Sequence, residues 1–416
     1  MNNWKTSKLK DVCDRVTVGF VGSMAHEYQE TGVPFFRSQN ITPFRLNLDG
    51  LKYVSEQFHE KIRKSALHPG DVAVVRTGYP GTACVIPKGL EVSNCSDLVI
   101  IRPGKQLNPY FLCAIFNSTF GRDLVGGNLV GAAQQHFNIT VAKELKFLLP
   151  SRAVQDKIAV ILSTYDELIE NNQRRIALLE KMAEEIYREW FVRMRFPGHE
   201  KVKKVKGLPE GWQRTKVVTL TSYLKRGVAP QYDDFAEGFA INQKCIRDGK
   251  LDLSFARHQS RDVSADRQIR FGDVLVNSTG EGTLGRVAQV LTQLSNCIVD
   301  SHVTIVRPKH NVPIHYFGMT LKAWEVHFST MGRGATNQTE LSPTVIGNIE
   351  VTMPSKPLQD VFESHAEPLF AQITYLTAQN EHLTRTRDLL LPRLISGKLS
   401  VEHLDIQFPP GMEVRP

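Results

Sequence analysis

Apolar residues along this chain follow two different rhythms, and the change from one to the other happens twice. Through the first 150 residues they come in short runs, such as Val72-Ala73-Val74-Val75 and Leu98-Val99-Ile100-Ile101, separated by glycine, proline and asparagine. Short apolar runs bounded by turn formers predict buried strands. From Ala153 to Arg195 there is neither proline nor glycine, and apolar residues fall at Ile158, Leu162, Tyr165, Ile169, Ile176, Leu179, Ala183, Ile186 and Trp190. Spacings of four and three in alternation, with Asn172 as one polar member, predict a coiled-coil seam on a helix roughly 60 Å long. Pro197-Gly198 should stop it, and the basic stretch Lys201 to Lys206 reads as a solvated linker. Short runs then return, among them Val303-Thr304-Ile305-Val306. A second seam closes the pattern at Phe362, Ala366, Leu369, Ile373, Leu376, Asn380, Leu383, Arg387, Leu390 and Leu394. Pro368 and Pro392 interrupt it, so a continuous helix is expected over about 369–390, with kinks or separate turns outside.

The two halves are copies. Pro150-Ser151-Arg152-Ala153-Val154-Gln155-Asp156 returns 204 residues later as Pro354-Ser355-Lys356-Pro357-Leu358-Gln359-Asp360. In the same order, Gly70-Asp71-Val72 returns as Gly272-Asp273-Val274, Thr77-Gly78 as Thr279-Gly280, Asn94-Cys95 as Asn296-Cys297, and Arg102-Pro103 as Arg307-Pro308. Gly131-Ala132-Ala133-Gln134-Gln135 returns as Gly334-Ala335-Thr336-Asn337-Gln338, and Trp4 matches Trp212. A period this long lies above the solenoid range and implies a pseudo-two-fold molecule. The expected fold is mixed α/β: two globules with curved sheets, 1–150 and 208–353, separated by two long helices that form an antiparallel coiled coil. The central helix occupies 151–196, a linker 197–207, the distal helix 354–400 and a tail 401–416.

Composition narrows the function. The chain has 416 residues, a net charge of +8 and a pI of about 9.1, which suits a polyanionic partner. No apolar run approaches the roughly 18 residues of a membrane helix, and the amino terminus lacks a signal-peptide pattern, so a cytoplasmic protein without a membrane partner is expected. The six cysteines include no Cys-x-x-Cys pair, so no metal site is indicated and reduced, mostly buried thiols are expected.

Two motifs invite an enzymatic reading. Gly280-Glu281-Gly282-Thr283-Leu284-Gly285 matches a dinucleotide loop, yet the helix it should open is absent, and Gly78-Tyr79-Pro80-Gly81 in the other copy breaks the pattern. Asn108-Pro109-Tyr110 is a truncated form of the adenine-methyltransferase loop Asn-Pro-Pro-Tyr, and its counterpart Val312-Pro313-Ile314 has neither Asn nor Tyr. Both read as turns. No P-loop, His-Glu-x-x-His or nuclease carboxylate cluster is found, and no catalytic residue is assigned. A self-contained DNA methyltransferase or nuclease, and a coiled-coil scaffold without DNA readout, stand as alternatives.

The order globule, long helix, globule, long helix resembles the specificity subunits of type I restriction-modification systems. The resemblance rests on the closing Arg387-Asp388-Leu389-Leu390-Leu391-Pro392-Arg393-Leu394-Ile395-Ser396-Gly397-Lys398-Leu399, on Pro150/Gln155 and Pro354/Gln359 at the helix entries, and on Leu208-Pro209-Glu210-Gly211-Trp212. It implies that each globule is a target-recognition domain reading one half of a bipartite double-stranded DNA target, and that the helices hold the globules apart. It also implies two methyltransferase subunits docked on the helices, and restriction (motor) subunits beside them. The cofactors it implies, S-adenosylmethionine, ATP and Mg, belong to those partners and not to this chain.

Base edges are read by Arg, Asn, Gln, Lys, Ser and Thr, and phosphates are held by basic side chains. Three loops per globule carry these types at matching positions. The first holds Arg37, Ser38, Gln39 and Asn40, against Asn242, Gln243 and Lys244. The second holds Arg76, Thr77 and Tyr79, against Ser278 and Thr279. The third holds Gln134 and Gln135, against Asn337 and Gln338. Residues that differ between copies, such as Arg37 and Asn242, are the better candidates for base reading, because two halves of an asymmetric target need different contacts. For the helices, an unpaired buried amide costs about 1–3 kcal/mol, so the favoured register places Asn172 opposite Asn380. That register also sets Leu162 on Leu390, Ile158 on Leu394, Trp190 on Phe362, and Tyr165 beside Arg387 for a ring–cation contact.

Overall fold

The computed structural model describes residues 4–24, 26–90, 92–127, 137–332 and 340–408. They fall into two units, 1–171 with 379–416, and 172–378. The division lies inside both long helices, so each unit holds one globule and a part of each helix.

In the first unit an antiparallel sheet runs in the order Cys13–Val18, Leu98–Pro103, Val72–Val75, Ala83–Val85. A second sheet runs Lys52–Val54, Val33–Phe36, Ser93–Cys95, Ala66–Leu67, with Val33–Phe36 parallel to Ser93–Cys95. The apolar runs are continuous because both faces of the first sheet are covered. Ala73, Val75, Leu98 and Ile100 pack with Phe36, Leu67 and Ile86 on one face. Val72, Val74, Val99 and Ile101 pack on the other with Phe111 and Leu112 of helix Pro109–Asn117 and with Val154, Ile158, Leu162, Leu391, Leu394 and Ile395 of the long helices. The globule and its part of the helix pair therefore share one core.

The second unit repeats the plan. Its antiparallel sheet runs Thr221–Arg226, Val303–Pro308, Val274–Asn277, Val287–Gln289. A three-stranded sheet runs Arg257–Gln259, Gly238–Ile241, Cys297–Val299, the last pair parallel. Here the helix pair joins the globule through aromatic rings. Phe191 lies 4.9 Å from Phe362 and 4.7 Å from Tyr316, and Trp190 lies 6.0 Å from Phe362.

The repeated dipeptides have structural reasons. Gly70 and Gly272 both adopt positive φ (87° and 89°), and the aspartate that follows each pairs with the arginine of the repeated Arg-Pro. Arg102 Nε is 2.8 Å from Asp71 Oδ1, and Arg307 Nε is 2.7 Å from Asp273 Oδ1. At each helix entry the glutamine Nε2 donates to the proline carbonyl five residues back, Gln155 to Pro150 at 2.9 Å and Gln359 to Pro354 at 2.6 Å. One pairing from the sequence is corrected. Cys95 and Val299 occupy the equivalent place: Phe20 N donates to Cys95 O and Val228 N to Val299 O, while Ser96 N donates to Phe36 O and Asp300 N to Ile241 O. Asn94-Cys95 and Asn296-Cys297 are therefore out of step. Asn94 is a buried strand residue, whereas Asn296 turns the chain with φ of 52°.

The central helix spans Arg152–Tyr187 and ends in a π turn over Arg188–Val192. The distal helix is unbroken from Lys356 to Ile395, against the expectation of breaks near its two inner prolines. A proline in a helix costs about 3 kcal/mol. Phe362 and Ala366 are buried just before Pro368, and Leu391, Leu394 and Ile395 flank Pro392. Burial worth about 1.5–3 kcal/mol for each large side chain outweighs that cost. Ile158 and Leu394 belong to one apolar cluster, and Trp190 packs against Phe362. The ring against the Arg387 guanidinium is Phe44 of the first globule at 4.9 Å, not Tyr165. Residues 197–207 are not a bare linker. Lys204–Val205 pairs with Leu208–Pro209 across a two-residue turn at Lys206 and Gly207, both at positive φ (52° and 81°), while Phe196 and Val202 pack into the second unit's core.

Candidate nucleic-acid interface

Both sequence motifs that suggested enzymes are turns. The glycines at 280, 282 and 285, all at positive φ, connect antiparallel strands Val274–Asn277 and Val287–Gln289. Asn108 caps helix Pro109–Asn117, accepting from Tyr110 N and Phe111 N, while its Nδ2 donates to Asp156. Among the described residues no group of three or more His, Cys, Asp or Glu could hold a metal ion, and no helix is long and apolar enough to cross a membrane.

In the first unit the first two loops meet at one carboxylate. Asp97, at positive φ (55°), accepts from Thr77 Oγ1 and from Ser38 Oγ (3.3 Å), and Arg76 Nη1 stands 3.7 Å away. Arg76 is held a second time through Nε to the Phe137 carbonyl at 3.3 Å, and its own carbonyl accepts from Phe137 N. Arg37 serves the fold: its Nη2 donates to Gly50 O at 2.8 Å and its guanidinium covers Tyr28. Asn40 is fully buried and ties Arg37 N to Asn47 O and Asp49 O, so it shapes the loop from beneath. Gln39 is exposed, and Tyr79, at 85% exposure, presents a whole aromatic ring to solvent.

The second unit joins the same loops differently. Asn277 Nδ2 donates to Gln243 O (3.0 Å) and Thr283 O (3.1 Å). Asn242 accepts from Lys244 N and donates to Phe255 O, which leaves the Lys244 side chain exposed. Ser278, the counterpart of Arg76, is fully buried and bonded to Thr304 Oγ1 at 2.6 Å. Thr279 bonds His302 Nδ1 at 2.7 Å. Ser278 O accepts from Leu341 N as Arg76 O does from Phe137 N, so Leu341 and Phe137 occupy equivalent places. Gln134, Gln135, Asn337 and Gln338 themselves lie outside the described residues. Asn172 belongs to the second unit, and Asn380 to the first, where its Nδ2 donates to Ile169 O at 3.4 Å.

The sequence reading missed Asp97, Asn277 and His302. It also missed Arg226, which is ion-paired with Glu340 and has Nε and Nη2 buried without a partner. A signal for Asp97 and His302 exists, since the segments Ser96-Asp97 and Asp300-Ser301-His302 lie between repeated elements and match in neither length nor type.

The two duplicated globules thus carry unlike polar side chains at like positions on one frame. Residues 1–181 match the family model of the type I restriction modification DNA specificity domain. Over nearly its whole length the chain is similar to type I restriction enzyme specificity subunits. It is 22% identical to the type I restriction enzyme MjaIX specificity subunit of Methanocaldococcus jannaschii, over 97% of this chain and 95% of that one. It is 25% identical to the putative MjaX specificity subunit of the same organism, over 96% and 94%. The crystal structure of a type I restriction-modification S subunit from M. genitalium shares its fold with a TM-score of 0.62, at 16% identity over 94% of this chain and 96% of that one.

Proposed function

We propose that this chain is the DNA-reading, non-catalytic subunit of a type I restriction-modification complex, each globule reading one half of a bipartite target in double-stranded DNA. The observation that carries the reading is a duplicated scaffold with unlike side chains at like positions, the exposed Gln39 against the exposed Lys244 and Asp97 against His302. An equal frame with unequal side chains suits an asymmetric target. The long helices serve as spacer and as docking frame for two methyltransferase subunits, with restriction subunits completing the complex. S-adenosylmethionine, ATP and Mg act in those partners.

The test is an exchange of residues 1–150 for the same domain of a relative, in the complex with the methyltransferase partner. Methylation-sensitive long-read sequencing of host DNA then reads the target. One half of the modified sequence should change and the other persist. A change in both halves would refute independent reading, and binding of S-adenosylmethionine by the purified chain alone would restore the methyltransferase alternative.

A further inference from the structure

Three backbone hydrogen bonds pin the same frame in both globules. Around the first, Phe20 N donates to Cys95 O (2.8 Å), Ser96 N to Phe36 O (3.0 Å) and Gly19 N to Leu98 O (2.8 Å). Around the second, Val228 N donates to Val299 O (3.1 Å), Asp300 N to Ile241 O (2.9 Å) and Gly227 N to Val303 O (2.9 Å). Between the pinned points the first globule has Ser96-Asp97 and the second has Asp300-Ser301-His302, one residue longer. This difference in length lies between points pinned alike in both copies, and it faces Thr77 in the first globule and Thr279 in the second. The strands on either side, Ser93–Cys95 with Leu98–Pro103 and Cys297–Val299 with Val303–Pro308, are buried and fixed, so the difference cannot spread outward.

The two segments do different work on the same neighbour. In the first globule the Asp97 carboxylate gathers Ser38 and Thr77 by hydrogen bonds and Arg76 by charge. It is an acceptor, so it fixes the Thr77 hydroxyl as a donor toward it and turns the hydroxyl's lone pairs outward. Its charge also draws a guanidinium on a long stem, which the Arg76 Nε hydrogen bond to Phe137 O orients. In the second globule His302 takes the place opposite Thr279, and the arginine position is a buried serine. An imidazole nitrogen can donate or accept, so the hydroxyl polarity there follows the tautomer.

We propose that the segments Ser96-Asp97 and Asp300-Ser301-His302 determine half-site specificity, with Asp97 acting as positioning residue for Arg76 and Thr77, and His302 for Thr279. The inference rests on the reading that each globule recognises one half of a DNA target. It goes beyond that reading by assigning the discrimination to a pair of segments flanking the recognition loops.

The experiment uses the full chain assembled with its methyltransferase partner, carrying Asp97→Ala, Asp97→Asn or His302→Ala. Methylation is read base by base on a library of duplexes randomised at each target position. Asp97→Ala should relax base preference in one half-site by roughly tenfold to a hundredfold, the discrimination one good side-chain contact to a base supplies, and leave the other half unchanged. Asp97→Asn should do the same less strongly, because the hydrogen bonds can persist without the charge. His302→Ala should affect the opposite half alone. Unchanged base preference in both halves, or an equal loss of methylation on every sequence, would overturn the proposal by reducing these residues to structural supports. If Asp97→Ala fails to assemble, Asp97→Asn and His302→Ala deliver the same two outcomes. A wild-type complex that methylates without sequence preference would instead refute the underlying reading.

Discussion

Arg307 and Asp273 face each other across neighbouring strands of the second unit, with Nε to Oδ1 at 2.7 Å and Nη2 to Oδ2 at 2.8 Å. Both side chains are nearly sealed from water, Asp273 at 0% exposure and Arg307 at 9%. The guanidinium also donates to the carbonyls of Asp266 and Gln268, so the pair closes a loop as well as a charge. Asp273→Ala leaves a buried cation unpaired and should cost about 3–5 kcal/mol in denaturant unfolding. Asp71→Ala, in the equivalent pair of the first unit, should cost less, because Arg102 is 32% exposed and can turn to water. Equal losses in the two variants would contradict the ranking by solvent access.

A second ion pair joins the two long helices within the first unit, and Phe44 and Arg45 of the globule pack on it. Arg387 Nη1 is 2.5 Å from Asp166 Oδ1, its guanidinium lies over Phe44, and Arg45 Nη2 donates to Asp166 O. Burial pushes the Asp166 carboxyl up against the opposing pull of Arg387. Arg387→Ala therefore leaves a desolvated carboxylate, whereas Asp166→Ala leaves Arg387 with Asp388 at 2.8 Å. The arginine variant should lose more stability, about 3 kcal/mol. A carboxyl raised in the folded state favours folding once protonated, so the deficit of Arg387→Ala should shrink as pH falls and Asp166 takes up its proton. Urea midpoints at several pH values separate the two variants.

The pair of lysines at Glu144 gives the opposite sign. Lys10 Nζ at 2.5 Å and Lys8 Nζ at 2.8 Å hold the Glu144 carboxyl at about 2, chiefly through hydrogen bonds. A carboxyl depressed in the folded state adds stability above its unfolded value of about 4.3, and this is lost as pH falls through the folded value. Glu144→Gln should therefore lower the urea midpoint at neutral pH, with the gap from wild type closing between about pH 4.5 and pH 2. The effect is small because the cluster is exposed and screened by salt. A gap that persists at pH 2 would mean the carboxylate charge is not its source.

Much of the architecture was legible because it rests on side-chain pattern. The helix seam announces itself in Ile158, Leu162 and Ile169, and the duplicated frame in Asp71 with Arg102 and Asp273 with Arg307, whose repetition is enforced by buried charge. Two features were hidden for physical reasons. The continuity of the distal helix through Pro368 depends on Phe362 and Ala366 being held from outside the helix, which local propensity cannot register. Asp97 escaped because recognition residues diverge between copies, so matching copies selects the scaffold and passes over the contacts. Ser278 illustrates the same trap, since it occupies the position of Arg76 yet is buried under Thr304.

Lys244 and Gln39 separate the two kinds of contact that a recognition surface makes. Lys244 sits at the head of the first loop of the second globule, exposed, with its backbone N–H fixed by Asn242 Oδ1 at 2.8 Å. A lysine ammonium is a point charge on a flexible stem and suits phosphates, whose contact carries no sequence information. Each phosphate neutralised on duplex DNA releases counterions and steepens the logarithmic salt dependence of binding by about 0.9. Lys244→Ala should therefore weaken binding of the assembled complex to every sequence alike and lower that slope by about one unit. Gln39, exposed in the matching loop of the first globule, is a planar amide that can pair with a base edge. Gln39→Ala should leave the salt slope unchanged and cost about 1–3 kcal/mol on the preferred sequence only, narrowing its advantage over duplexes altered in one half-site. Binding isotherms across a salt series, on the target and on single-base variants, distinguish the two. A flat slope change for Lys244→Ala, joined to altered base preference, would reassign it from phosphate to base.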